Sequence, residues 1–223
     1  MIKFSNIFKS FSPANEVLQN ISFEINSGEL IFVTGSSGAG KSTLIKLISA
    51  LEKPTSGEII FEDQNLSDLN NIDMPYLRRK FGMIFQDHKL LFDRNCFENV
   101  ALPLSINDTT SVDLNRRVRA ALNKVGLLDK EKVMPITLSG GEQQRLAIAR
   151  AIVSRPSILI ADEPTGNLDK KYADDIMNIF YSFQQVGVTV IISSHEAPQS
   201  PIKFKELHLI NGELGNKDVP LLS

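Results

Sequence analysis

Eight consecutive residues, Gly35-Ser36-Ser37-Gly38-Ala39-Gly40-Lys41-Ser42, satisfy the pattern GxxxxGK[ST] in full, and Thr43 follows directly. Residues of these types in this order suit a polyphosphate. Phosphate oxygens are best met by several backbone N–H groups at once, and side chains would crowd them. Glycine permits the tight curvature, and a helix that starts at the loop adds its positive end. Lys41 supplies a positive charge for the β- and γ-phosphates. Ser42 offers a hydroxyl to Mg2+, and Thr43 a contact near the α-phosphate. The metal also needs a carboxylate, and the run ILIADE offers two. Asp162 suits the Mg2+ shell. Glu163, one residue on, suits the task of orienting or deprotonating an attacking water. A glycine-rich turn, or two acids capping the next segment, would each explain one fragment but not both in one chain.

These residues need elements to hold them. Residues 30–34, LIFVT, are continuously apolar and fit a buried strand running straight into the glycine loop. Leu44, Leu47, Ile48 and Leu51 then fall at helical spacing, with Pro54 as the stop. Upstream, the chain start reads as short strands; VLQNISFEI (17–25) alternates, and Asn26-Ser27-Gly28 is a turn. GEIIFED (57–63) and residues 81–85 read as further strands. A helix-rich stretch, about 90–155, forms a candidate second lobe with a polar loop at 106–113. Within it Leu114, Val118, Ala121, Leu122 and Val125 mark one helix face, and Gly126 is its stop. ILIAD (158–162) and VTVIISS (188–194) are rich in branched residues and read as buried parallel strands. Ile176, Ile179, Phe180 and Phe183 mark a helix between them. Asn211-Gly212 between apolar runs predicts a two-residue hairpin. Asp162 and Glu163 thus sit at a strand C-terminus, where ligands gather in parallel α/β sheets.

Composition agrees with this frame. The 223 residues are 42% hydrophobic, enough for a core in one domain with a sub-lobe. Lys+Arg 24 against Asp+Glu 26 gives a net charge of -2, which does not argue for bulk nucleic-acid binding and leaves a local basic patch open; no direct nucleic acid is expected as a partner. The lone Cys96 cannot form an internal disulfide and reads as a small apolar filler. With three histidines, a structural zinc site is not expected. The N-terminus lacks the apolar core of a signal peptide, and no stretch approaches the ~20 apolar residues of a membrane helix. The expected location is cytoplasmic, with any membrane role exerted through a partner.

The segment LSGGEQQRLAIARAI (138–152) supplies the next constraint. Ser139 and Glu142 have the S-x-x-E spacing of a capping box. A cap does not explain Gly140 and Gly141, which weaken a helix start. They make sense if something must approach the backbone closely. Together with the phosphate loop and ILIADEPTGNLD (158–169), this segment resembles the signature of the ATP-binding subunits of ABC systems, over roughly residues 1–214. The resemblance implies an α/β, ABC-type P-loop nucleotide-binding domain. It would have a RecA-like core with antiparallel strands (1–89 and 156–223) and an inserted helical subdomain (90–155). It implies ATP and Mg2+ as ligands and ATP hydrolysis as the activity. It also implies a homodimer sandwiching two ATP molecules between residues 35–43 of one copy and Ser139, Gly140, Gly141 and Glu142 of the other. Residue by residue, Gln86 matches a glutamine that reaches Mg2+ and the attacking water. Asp169 matches a loop that crosses the dimer interface. His195 matches a switch histidine at the γ-phosphate, and Phe11 an aromatic platform for adenine. Two departures stand out: Glu196 follows the switch histidine where Asp is usual, and Phe11 replaces the common Tyr. Both keep the relevant chemistry.

Within the family, FQDHKLLFDR and its surroundings (75–104), together with 116–130 and 138–156, resemble the branch that serves bacterial cell division. That resemblance implies an integral membrane subunit resembling FtsX, further divisome components, and a peripheral site on the cytoplasmic face of the plasma membrane. It also implies septal cell-wall hydrolase activation as the output. Lipoprotein-releasing and macrolide-exporting ATPases share much of the same sequence and form the alternative. DNA-repair and ribosome-associated members usually carry two cassettes or basic extensions. An inactive regulator is disfavoured because Lys41, Gln86, Asp162, Glu163 and His195 are all present. Residues 196–206 match no pattern, and Pro198 and Pro201 argue against a regular helix there.

Overall fold

The computed structural model describes residues 2–12, 15–69, 73–106, 110–166, 168–198 and 200–215. Part of the polar loop (107–109), Asn167 of the GNLD run and Gln199 lie outside them. In chain order the elements are β1 (Ile2–Ser12), β2 (Asn15–Ile25), β3 (Leu30–Gly35), α1 (Lys41–Ile48), β4 (Ser56–Phe61), β5 (Gln64–Asn65), α2 (Met74–Arg78) and β6 (Phe81–Ile84). They continue with α3 (Cys96–Ser105), α4 (Ser111–Lys124), α5 (Gly140–Ile152), β7 (Ile158–Asp162), α6 (Lys170–Gln184), β8 (Thr189–Ser193), β9 (Lys205–Ile210) and β10 (Glu213–Leu214). Contacts divide the chain into two units, Met1–Arg78 with Phe183–Ser223, and Arg79–Ser182.

In the first unit, β2, β1, β4 and β5 form an antiparallel sheet in that order. The expected short strands at the chain start are in fact two strands of 11 residues each. Asn6, at φ 49°, makes a bulge that shifts the inward phase from Phe4 to Ile7. That phase break is why one long strand reads as shorter pieces. Elsewhere in this unit β3 lies between parallel partners β8 and β9. All six residues of β3 are buried, as its unbroken apolar run requires. β9 and β10 close the expected hairpin, with Ile210 opposite Glu213 and Asn211 at φ 50° in the turn. Helix α1 buries Leu44, Leu47 and Ile48 but stops well before Pro54. The Ser49 hydroxyl donates to the Ile45 and Lys46 carbonyls, and Ala50 turns left-handed at φ 54°. The N–H groups of Leu51 and Glu52 then both close on the Lys46 carbonyl. Leu51 therefore leaves the helical face and is 40% exposed.

In the second unit, β6 and β7 pair in parallel, Phe81 opposite Ile158 through Ile84 opposite Ala161. Helices α3, α4 and α5 pack on one another. Val118, Ala121, Leu122 and Val125 are buried as the helical spacing predicts, and Cys96 is fully buried at the first turn of α3. Asn99 is the polar keystone of this unit. It is 0% exposed. Its Nδ2 donates to the carbonyls of Leu91, Arg94 and Asn95, and its Oδ1 accepts from the Leu91 N–H. Asn99→Leu keeps the volume but orphans those buried groups. It is expected to cost about 3 kcal/mol, read as a lower denaturant midpoint at unchanged slope.

Candidate functional site

The first unit presents the phosphate loop between β3 and α1. Gly35 ends the strand at φ 144°, and its N–H donates to the His195 carbonyl at 3.3 Å. A Cβ on Gly35 would stand 2.4 Å from the Leu209 carbonyl oxygen, so β9 excludes any side chain there. Gly40 caps α1 at φ 104°, and a Cβ on it would stand 2.7 Å from Leu18 Cδ2. Lys41 is 5% exposed; its ammonium donates to the carbonyls of Gly35 (2.8 Å) and Ser36 (3.1 Å). The loop thus holds its one cation against its own backbone. No acid lies in the first turn of α1, and no side chain caps it. The positive helix end is left to an anion. Ser36, Ser37, Gly38 and Ser42 are exposed, Thr43 is half-buried and Ala39 is buried. His195 follows β8 and is exposed. Its backbone is tied to the loop through Gly35, and the Ser194 N–H donates to the Val33 carbonyl at 3.0 Å.

The nearby aromatics separate by burial. Phe4 stacks on Phe23 in the core at 4.5 Å. Phe8 is half-buried, whereas Phe11 is 52% exposed with the Lys9 ammonium 4.9 Å from its ring centre. Of the three, Phe11 alone offers an area large enough to stack on a base.

The second unit presents the acids. Parallel β6 and β7 deliver Gln86 and the Asp162-Glu163 pair at their shared C-terminal ends. Gln86 Nε2 donates to Glu163 Oε2 at 3.2 Å. Glu163 sits at φ 47°, a left-handed conformation that costs a non-glycine residue energy and that clusters at functional sites. The turn after Gln86 is held the same way, with His88 at φ 56° and Lys89 at φ 48°. Arg150, on α5, donates to the carbonyls of both, at 2.5 and 2.6 Å. Burial pushes the His88 imidazole below the usual histidine range, partly offset by a hydrogen bond with Gln144. Nothing in the sequence pattern flags Arg150, since a basic residue on a helix reads as solvated surface.

At the start of α5 the capping box closes as the spacing predicts. Ser139 Oγ accepts from the Glu142 N–H at 3.4 Å, and Glu142 Oε2 accepts from the Ser139 N–H at 3.0 Å. The two glycines differ. A Cβ on Gly141 would stand 3.4 Å from the Tyr172 ring, whereas one on Gly140 would meet nothing within 4 Å. Asp169 Oδ1 accepts from the Tyr172 N–H at 3.2 Å and caps α6, so it is tied through Tyr172 to the signature turn. No spacing in the sequence marks Tyr172, because only folding sets it against Gly141.

A strand-loop-helix phosphate cradle, a carboxylate pair at a strand end and a glycine-bearing helix cap are the parts of an ATP-hydrolysing cassette. The ABC transporter family model matches residues 18–166, and the chain belongs to that family as an ABC-type ATPase. It is 52% identical to the cell division ATP-binding protein FtsE of Escherichia coli strain K12, covering 96% of this chain and 97% of that one. The FtsE of Bacillus subtilis strain 168 is 42% identical over 87% of this chain and 86% of its own. The methionine import ATP-binding protein MetN of Histophilus somni is 42% identical over 88% of this chain and 58% of its own. Among solved structures, a post-hydrolysis dimer of the ATP-binding cassette MJ0796 bound to ADP and Pi matches with TM-score 0.88. It is 32% identical, with 96% of each chain covered. The mixed α/β cassette expected from the sequence is the fold found.

Proposed function

We propose that this ATP-binding subunit of an ABC-type complex serves cell division, driving a conformational change in a membrane partner that activates septal cell-wall hydrolysis. The reading of the ATP site is a two-fold sandwich. Residues 35–43 of one copy and Ser139 to Glu142 of the other hold each ATP, a self-complementary and closed arrangement. One observation carries it: Gly140 has no steric or conformational need to be glycine within its own chain, since its Cβ would meet nothing. Glycine at this first helical position favours the helix less than alanine would, by up to the roughly 1 kcal/mol of a helix interior. A close approach from outside accounts for that cost. The dimer of MJ0796 supports the same reading.

The exposed Ser42 hydroxyl of the first unit, and the Gln86 amide and Asp162 carboxylate of the second, are each oxygen donors of the kind Mg2+ takes. Bound with ATP, Mg2+ would neutralise phosphate charge. Lys41 and the loop N–H groups stabilise the charge that develops on the γ-phosphoryl. Glu163 accepts the proton of the attacking water, and Gln86 fixes that carboxylate through its 3.2 Å hydrogen bond. His195 contacts the γ-phosphate, Phe11 stacks on adenine, and Asp169 lies at the crossing between copies.

No helix among the described residues is long and apolar enough to cross a membrane. The proposed place is the cytoplasmic face of the plasma membrane, on an integral subunit resembling FtsX. Affinity purification of the tagged protein from detergent-solubilised native membranes tests this. Recovery of a four-span subunit with a large extracellular domain, together with divisome components, is expected. Recovery of a lipoprotein-releasing or macrolide-efflux subunit instead would move the biology to export.

A further inference from the structure

Glu142 places a carboxylate at the N-terminus of α5, in the turn that carries Gly140, and Lys130 is its ion-pair partner. The two carboxylate oxygens divide the work: Oε2 takes the Ser139 N–H and Oε1 takes the Lys130 ammonium. Lys130 ends a 3-10 turn, Leu128–Lys130, and the chain just beyond it is braced. The carbonyls of Glu131 and Val133 accept from the first N–H groups of α3, those of Phe97 (2.8 Å) and Cys96 (2.9 Å). The Glu131 carboxylate takes the Arg119 guanidinium through bonds of 3.0 and 3.1 Å. Lys130 therefore approaches Glu142 from a held segment.

A glutamine at position 142 would close the same capping box without a charge. The carboxylate favours the helix end but repels any phosphate brought to it. Its counter-charge has no part in the cap itself. We infer that Lys130 is a positioning and charge-neutralising residue of the signature turn, cancelling the Glu142 charge where the γ-phosphate of a second copy's ATP is received. The inference rests on the sandwich reading above.

The test is ATP-dependent dimerisation in a Glu163→Gln background, followed by analytical ultracentrifugation across an ATP titration. Lys130→Met is expected to raise the ATP concentration for half-maximal dimer about tenfold, as two partly screened charge pairs per dimer would give. Adding Glu142→Gln to Lys130→Met is expected to restore the midpoint of Glu142→Gln alone. A midpoint unmoved by Lys130→Met would overturn the inference and leave the sandwich standing. Failure of Glu142→Gln to restore it would show a mechanical brace, and charge neutralisation would be wrong. A Glu163→Gln parent that stays monomeric at saturating ATP would overturn the sandwich reading itself.

Discussion

A chain carrying Glu163→Gln is expected to bind ATP while turning it over about 10²–10⁴-fold more slowly, the range for loss of a general base. The amide keeps the size of the side chain and an acceptor oxygen, so the hydrogen bond from Gln86 survives. What disappears is the capacity to take a proton from water. The left-handed backbone at position 163 belongs to the turn after β7 and does not depend on which side chain it carries. Steady-state phosphate release, run beside equilibrium ATP binding, measures both halves of this expectation. Unchanged turnover would remove Glu163 from the proton-accepting role and turn attention to His195.

Gly35→Ala is expected to be the most damaging single methyl group in the phosphate loop. Gly35 is in register with Leu209 across β3 and β9, and the new Cβ would lie 2.4 Å from the Leu209 carbonyl. Backbone, not a flexible side chain, stands in the way, and φ 144° is itself strained for alanine. A cost of about 3 kcal/mol or more follows from overpacking and backbone strain together. The same residue donates to His195 and accepts from Lys41, so ATP affinity should fall with stability. Thermal melting with and without ATP reads both effects. A variant with wild-type melting and ligand-induced shift would mean that β9 can yield at this point.

Much of the site was legible in the sequence because its chemistry is local. The order strand, glycine loop, helix and the closure of the capping box are each set within a few residues, so spacing alone predicts them. The hairpin at Asn211 and the buried strand β3 follow from two-residue turn chemistry and from an unbroken apolar run. The misreadings also had local causes. The bulge at Asn6 broke the alternation of β1, and Ser49 with Ala50 stopped α1 before Pro54 could.

What the sequence by itself determined is therefore the phosphate cradle, the acids at a strand end and the type of most elements. Their order and type are set by residues near in the chain, although the close packing that bars a side chain at Gly35 comes from β9. Only the tertiary structure decided that Gln86 hydrogen-bonds Glu163, that Arg150 holds the left-handed turn at His88 and Lys89, and that Lys130 meets Glu142. It also decided that Tyr172 backs Gly141 while Gly140 stays open. These pairs are separated along the chain by strands, loops and helices. Their meeting is set by packing and strand register, which no spacing rule encodes.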